Sequence, residues 1–295
     1  MRLHAFALII GLTHRHQLNN RRANITSEYP VGLEQIVNLE EYPITEPGTS
    51  RAALVEKCRS NFLDDVLCEL PGFLRPEAVE AVVASVESRR DRAHSSSRYR
   101  RAYRPYAPLQ NNLPAWHSTL HRRDCAYLAY DEFEPGSVLP GPYRDEHFIE
   151  FAAEVLGLTV LYPAADPLVA VCVTLHESGS EVGWHYDTQS FTVTAMFRPS
   201  DEGGVFEYVP QAGPGGRNYE LVPEVFENDR TLVRTVSIKP GSIVLFRGDN
   251  TLHRVTPTKG GTYRILSTFL YEETPGRVYP DGFKLDLFGR TQPYA

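Results

Sequence analysis

The spacing of hydrophobic positions changes character about halfway along the chain. In "RPEAVEAVVASVESRRDRA" (75–93) the apolar positions 79, 82, 83 and 86 recur at helical intervals, with a proline near the start. That pattern predicts a helix. "DEHFIEFAAEVLGL" (145–158) predicts a second one, closing at Gly157, with acids in its first turn where the helix dipole favours them. After about residue 165, short runs of Val, Ile, Thr, Phe and Tyr alternate with Gly, Pro and Asp. They predict strands over 168–175, 190–197, 204–209, 231–238, 242–247 and 262–271. Short strands at such spacing predict a β-sandwich or jelly roll. No fixed-period repeat is present. Residues 1–50 are rich in Asn, Arg, Pro and Glu and hold no sustained period. They read as an N-terminal extension, partly irregular or packed over the main domain. Residues 51–295 read as one domain, helical to about 160 and β after that.

Composition narrows the function classes. The 295 residues suffice for a sizeable core, and 42% hydrophobic with 23% charged residues is a globular balance. A formal net charge of −7 argues against a nucleic-acid partner. The basic stretch "RYRRAYRPY" (98–106) reads as a solvated loop rather than a phosphate site. Cys58, Cys68, Cys125 and Cys172 form no C-x-x-C pair, which fits reduced thiols in a cytoplasmic protein. The apolar run in "MRLHAFALIIGLTH" is far short of the roughly 20 residues that span a bilayer. It also lacks a small-residue cleavage site, so it makes a poor signal peptide and implies no membrane partner. The Asn24 sequon in "NIT" matters only in a secreted chain.

Candidate chemistry lies in "GWHYDTQSF" (183–191). In extended backbone His185 and Asp187 project to the same side. Alone, the spacing is weak and reads as two surface polar residues. "PGSIVLFRGDNTLHRVTP" (240–257) adds a strand, a turn and His253, at the start of a short strand that can lie beside His185. Two histidines and a carboxylate make the facial triad of non-haem Fe(II) oxygenases, with three positions left open. Zinc accepts the same ligands, so the triad alone leaves the metal open. Arg264, in "GTYRILSTFLY", follows on the next predicted strand. A lone arginine in an apolar strand is expensive to bury without an anion. It either forms an internal ion pair or offers its fork to a ligand carboxylate. Thr268 shares its face by alternation. An enzyme using 2-oxoglutarate needs such a fork; a zinc hydrolase does not.

The set "HYD" (185–187), His253 and Arg264 resembles the Fe(II)/2-oxoglutarate-dependent oxygenase superfamily. "YLAYDEF", "LYPAADPL", "GWHYDTQSFTVT", "GGVFEYVP", "LFRGDNTLHRVTP" and "YRILSTFLYEETPG" occur in that order between about 127 and 276. They are similar to the branch of BesD/HalD-type amino-acid halogenases and their hydroxylase relatives. The resemblance implies a mainly β fold with flanking helices, a double-stranded β-helix of cupin-like jelly-roll form. It implies Fe(II) held by His185, Asp187 and His253, 2-oxoglutarate held by Arg264 with help from Thr268, and O2 as co-reactant. Halogenases of that branch carry Gly or Ala where this chain has Asp187, so the resemblance implies hydroxylation. Desaturation and ring closure share the same hydrogen abstraction. The implied substrate is a small molecule, a free amino acid or a compound derived from one. A peptide substrate is the alternative within the class, and a non-catalytic metal-binding jelly roll the alternative outside it.

Substrate residues are less marked. Ser190, Thr192, Thr194 and Met196 share one strand face, which lines a pocket or meets solvent. Thr188 follows the ligand motif directly. Arg122 or Arg123 either holds a substrate carboxylate or forms a surface basic pair. His176 and Glu177 either support the metal ligands from behind or end a strand. Trp184 reads as a packing wall. The Gly/Pro-rich loop within 203–220 is either a lid or a plain connection.

Overall fold

The computed structural model describes residues 31–103, 114–134, 136–189 and 191–294. The apolar run and sequon near the N-terminus, residues 104–106 of the basic stretch, and Ser190 lie outside the described residues.

Four helices matter for the site. They are α1 (Thr49–Asp65), α2 (Pro76–Glu87), α3 (Glu146–Leu156) and α4 (Asp281–Phe288). Pro76 starts α2, where a missing N–H costs nothing, and Ala78, Val79, Val82 and Val86 form its buried stripe. The Asp145 side chain caps α3 by accepting from the N–H groups of His147 (2.9 Å) and Phe148 (3.2 Å). Gly157 ends it at φ +75°, a left-handed conformation suited to glycine.

The strands are β1 (Leu67–Leu70), β2 (His94–Arg101), β3 (Leu120–Leu128), β4 (Tyr162–Pro163), β5 (Val171–His176), β6 (Glu181–His185), β7 (Thr192–Arg198) and β8 (Glu202–Gly203). After them come β9 (Phe206–Val209), β10 (Arg234–Val236), β11 (Ile243–Phe246), β12 (Leu252–Val255), β13 (Thr258–Lys259), β14 (Arg264–Phe269) and β15 (Tyr271–Glu272). The main sheet runs β1-β11-β7-β14-β5-β3-β6-β12-β9-β10, with β2 added to β3. Every pairing is antiparallel. β3 pairs with both β5 and β6, so the sheet curls there and its two ends face each other. This is the jelly-roll form of the double-stranded β-helix.

The predicted helices and five of the six predicted strands fall close to their expected places. In the sixth, 231–238, only Arg234–Val236 is strand. The region before 160 is not wholly helical, because it also supplies β1, β2 and β3. Residues 98–101 are part of β2 rather than a solvated loop, and Arg98 and Arg100 both pair with Asp286 of α4. Ile36, Val37, Tyr42 and Ile44, from the predicted extension, are buried in the main core.

That core lies between the helices and the outer face of the sheet. Val171, Val173, Leu175, Val193, Ala195, Phe197, Ile243, Leu245, Ile265 and Phe269 project into it, against Phe62, Val82, Phe148 and Phe151. Alternate residues of the same strands therefore point inward, to a cavity.

Candidate active site

The cavity has a volume of about 220 Å³. His185, Asp187 and His253 line it and bring one ligand atom each within 4.8 Å of the others. His185 ends β6, and its cross-strand partner on β12 is His253, which places the two imidazoles side by side with ring centroids 4.0 Å apart. Asp187 Oδ1 lies 3.6 Å from His185 Nε2 and 3.4 Å from His253 Nε2.

Each ligand is oriented from behind. His185 Nδ1 lies 2.9 Å from the Gly183 carbonyl and His253 Nδ1 lies 2.8 Å from the Thr251 carbonyl. A carbonyl only accepts, so each Nδ1 carries the proton and each Nε2 lone pair faces the common point. Asp187 Oδ2 accepts from Thr192 Oγ1 at 2.5 Å, and the Asp187 N–H donates to the Gly248 carbonyl at 3.0 Å. A methyl group at Gly248 would overlap the Asp187 carboxylate, so only glycine lets this turn approach so closely. Burial, the Arg123 cation and His253 together hold the His185 imidazole well below its ordinary value, and it is neutral. Burial alone would raise the Asp187 carboxyl. The His253 and His185 side chains and the Thr192 hydroxyl outweigh it and hold Asp187 below the usual carboxylate range. Two imidazoles and one carboxylate are the donor set that Fe(II) takes. Ligand atoms about 2.1 Å from a metal stand roughly 3 Å apart, so the observed separations need little contraction.

Arg264 begins β14 and is 2% exposed. Its backbone pairs with His176 on β5, and its Nη1 lies 3.4 Å from His176 Nε2. Its Nε is buried without a partner. Among the described residues no carboxylate forms an ion pair with it. Of the two readings left open for Arg264, the internal ion pair is therefore not found among the described residues. Burial pushes this guanidinium down to about 10, so it remains charged at neutral pH. Thr268, Thr194 and Thr188 all line the same cavity, as does Thr192. The polar face of β7 thus turns inward rather than to solvent.

The two candidate arginines separate. Arg123 lines the cavity with a buried Nη2 that has no partner. Arg122 does not join it: it pairs with Asp124 and lies 3.6 Å from Glu181. Alternation along β3 sends one side chain inward and its neighbour outward. Trp184 is a packing wall as expected, buried with Trp116, Tyr186 and Leu252. The connection after β9 is tied down, with Tyr186 donating its hydroxyl to the Ala212 carbonyl at 2.6 Å. Sequence reasoning missed Tyr127, Phe283 and Leu287 as lining residues. The last two project from α4 four residues apart, a helical-face spacing that was the available signal.

Comparison with known proteins agrees with the fold. Over 85% of this chain and 97% of the other, the structure is similar to the non-heme alpha ketoglutarate dependent carbocyclase SnoK from nogalamycin biosynthesis, with TM-score 0.53 and 13% identity. The epimerase SnoN in complex with Fe3+, alpha ketoglutarate and nogalamycin RO matches over 75% of this chain and 84% of its own, with TM-score 0.51 and 13% identity. AviO1 from Streptomyces viridochromogenes Tue57 matches over 80% and 100%, with TM-score 0.50 and 17% identity. At these identities the likeness is one of fold. No curated protein matches the chain in sequence. Fold, triad and family match together define an Fe(II)/2-oxoglutarate-dependent oxygenase. The family model described as Halogenase D matches residues 117–276, more than half of the chain, and the chain belongs to that family.

Proposed function

We propose that this enzyme hydroxylates an unactivated C–H bond of a small molecule, a free amino acid or a compound derived from one. The observation that carries the reading is one cavity holding both the His185–Asp187–His253 cluster and a buried guanidinium, Arg264, without an acidic partner. In this reading the triad holds Fe(II) and Arg264, with Thr268, holds the distal carboxylate of 2-oxoglutarate. Held by these residues, Fe(II) and 2-oxoglutarate would supply, with O2, the oxidising chemistry for a C–H bond, with succinate and CO2 as co-products.

The chain's own residues do the rest. Thr192 and Gly248 fix the Asp187 carboxylate, and the Gly183 and Thr251 carbonyls fix the imidazoles. Arg123 supplies a second cation inside the cavity, suited to the carboxylate of an amino acid. Thr188 and Thr194 add hydroxyls to the cavity lining, and apolar walls at Phe246 and Leu266 keep water from the reacting bond. Asp187 occupies the position that the halogenating relatives leave open, which favours oxygenation over halogen transfer. Because Ile36, Val37, Tyr42 and Ile44 join the main core, residues from 31 onward act with 51–295 as one catalytic unit. Four free, buried cysteines support a cytoplasmic setting.

The test is a panel of free amino acids and their simple derivatives, incubated with enzyme, Fe(II), 2-oxoglutarate and O2 in high chloride. At least one substrate should drive succinate release above background and gain one oxygen atom in mass. A chlorinated product would contradict the role given to Asp187. Uniform background over the whole panel would count against an amino-acid substrate.

A further inference from the structure

Among the described residues, His176 is the one histidine lining the cavity outside the metal cluster. It is 1% exposed and ends β5 directly opposite Arg264 in the β5–β14 register. Three features set it apart from an ordinary core histidine. Its Nε2 lies 3.4 Å from Arg264 Nη1, a group that can only donate. Its Nδ1 is buried and has no partner. Burial and the adjoining Arg264 cation hold the imidazole well below its ordinary value, so the ring is neutral. A neutral ring that accepts at Nε2 carries its proton at Nδ1. Among the described residues, the pair Arg264–His176 therefore presents two unused buried donors, Arg264 Nε–H and His176 Nδ1–H, and no acidic partner. Leaving such donors unpaired in a core is costly unless a ligand arrives to accept from them.

We infer that His176 is a positioning residue for the distal carboxylate of 2-oxoglutarate, accepting from Arg264 Nη1 and so turning the guanidinium fork toward the ligand. The inference rests on the cosubstrate assignment made above and extends it to a residue outside the triad and its arginine. Position supports it. On β14, Arg264 stands at one end of the strand and Leu270 lies just past the other, and His176 shares the Arg264 end. An acceptor at that end fixes which N–H groups of the guanidinium stay free for a carboxylate. Phenylalanine keeps the ring's volume and removes both nitrogens. Glutamine restores one acceptor and one donor.

The experiment is an anaerobic titration of the Fe(II)-loaded enzyme with 2-oxoglutarate, followed by the visible charge-transfer band. Fe(II) affinity is measured separately, and folding is checked by circular dichroism. His176→Phe should weaken 2-oxoglutarate binding about tenfold, the scale of one hydrogen bond to a charged group. Fe(II) affinity should stay as in the unmodified enzyme, and His176→Gln should recover most of the loss. A purely packing role would give the reverse pattern, with Phe tolerated and Gln harmful, and would overturn the inference. Equal 2-oxoglutarate affinity in all three proteins would also overturn it. Absence of any band in the unmodified enzyme would instead overturn the cosubstrate assignment itself.

Discussion

The two faces of the strands β11, β7, β14 and β5 are built from alternate residues of one sequence, yet they answer to different requirements. The outer face presents Ile243, Leu245, Val193, Ala195, Ile265, Val173 and Leu175 to the helices, all at most 1% exposed. The inner face presents Val244, Phe246, Thr192, Thr194, Arg264, Leu266, Thr174 and His176 to the cavity. Apolar burial on the first stabilises the fold at roughly 25 cal/mol per Å². The second leaves Arg264 Nε and His176 Nδ1 buried without partners, which lowers stability. A sheet that tolerates this on one face is organised for a ligand there, and its stability rests on the other.

Substitutions on the two faces should therefore have opposite signatures. The largest effect on the inner face is expected from Asp187→Ala, which removes the triad's carboxylate. Loss of a partner that merely orients a ligand costs about 10–100-fold in metal affinity. Loss of the ligand itself should exceed about 100-fold, read by competition with a Fe(II) chelator, while the thermal midpoint of the metal-free protein stays high. On the outer face, Leu245→Ala should cost about 2–5 kcal/mol of stability. Urea unfolding would show it, and metal affinity in the folded fraction should be unchanged. Arg264→Met sharpens the contrast most. It should abolish 2-oxoglutarate binding and yet raise the stability of the metal-free protein, by about 1–4 kcal/mol, because a buried cation without an acid is removed. A drop in stability would show that Arg264 is structural.

Smaller effects probe what lies behind the ligands. Thr192→Val keeps the shape of β7 and deletes the hydrogen bond to Asp187 Oδ2. Metal affinity should fall about tenfold, with unfolding shifted by less than about 1 kcal/mol. The pH dependence of stability gives the finest comparison. His176 is held neutral in the folded state, well below its ordinary value of 6.5, and His121 is pushed down to about 4 by burial with Arg123 and Arg254 nearby. Below about pH 6.5 the unfolded chain takes up protons that the folded chain refuses, so stability falls as pH drops. Each such group contributes up to about 1.4 kcal/mol per pH unit in that window. His176→Phe should flatten the slope by about that amount between pH 6.5 and 5. An unchanged slope would mean that the folded protein already carries a proton there.

The same contrast explains what was legible in the sequence. His185 and Asp187 are two residues apart, and Arg264 stands out against apolar neighbours, so both signals are local. The polar side of β7 was visible as alternation, although its direction was open until the pairing of β7 with β11 and β14 was known. Non-local pairings carried the rest. β2 and β3, with sequences HSSSRYRR and LHRRDCAYL, are too polar to read as strands and form because they pair with each other. Without β3, Arg122 and Arg123 could not be told apart. The adjacency of His176 and Arg264, 88 residues apart, depends on the β5–β14 register, which no local pattern encodes. α4 was missed for a related reason. Its value lies in packing against β2 and β3, with Arg98 and Arg100 on Asp286, rather than in a strong apolar stripe of its own.

Everything proposed for the cavity requires that His185, Asp187, His253 and Arg264 form a single site for Fe(II) and 2-oxoglutarate. The most direct measurement is the visible absorption of the purified protein under anaerobic conditions as both are added. A single site should give a metal-to-ligand charge-transfer band that saturates at one equivalent of 2-oxoglutarate and is lost in both Asp187→Ala and Arg264→Met. A band that persists unchanged in those variants, or none in the unmodified protein, would contradict it.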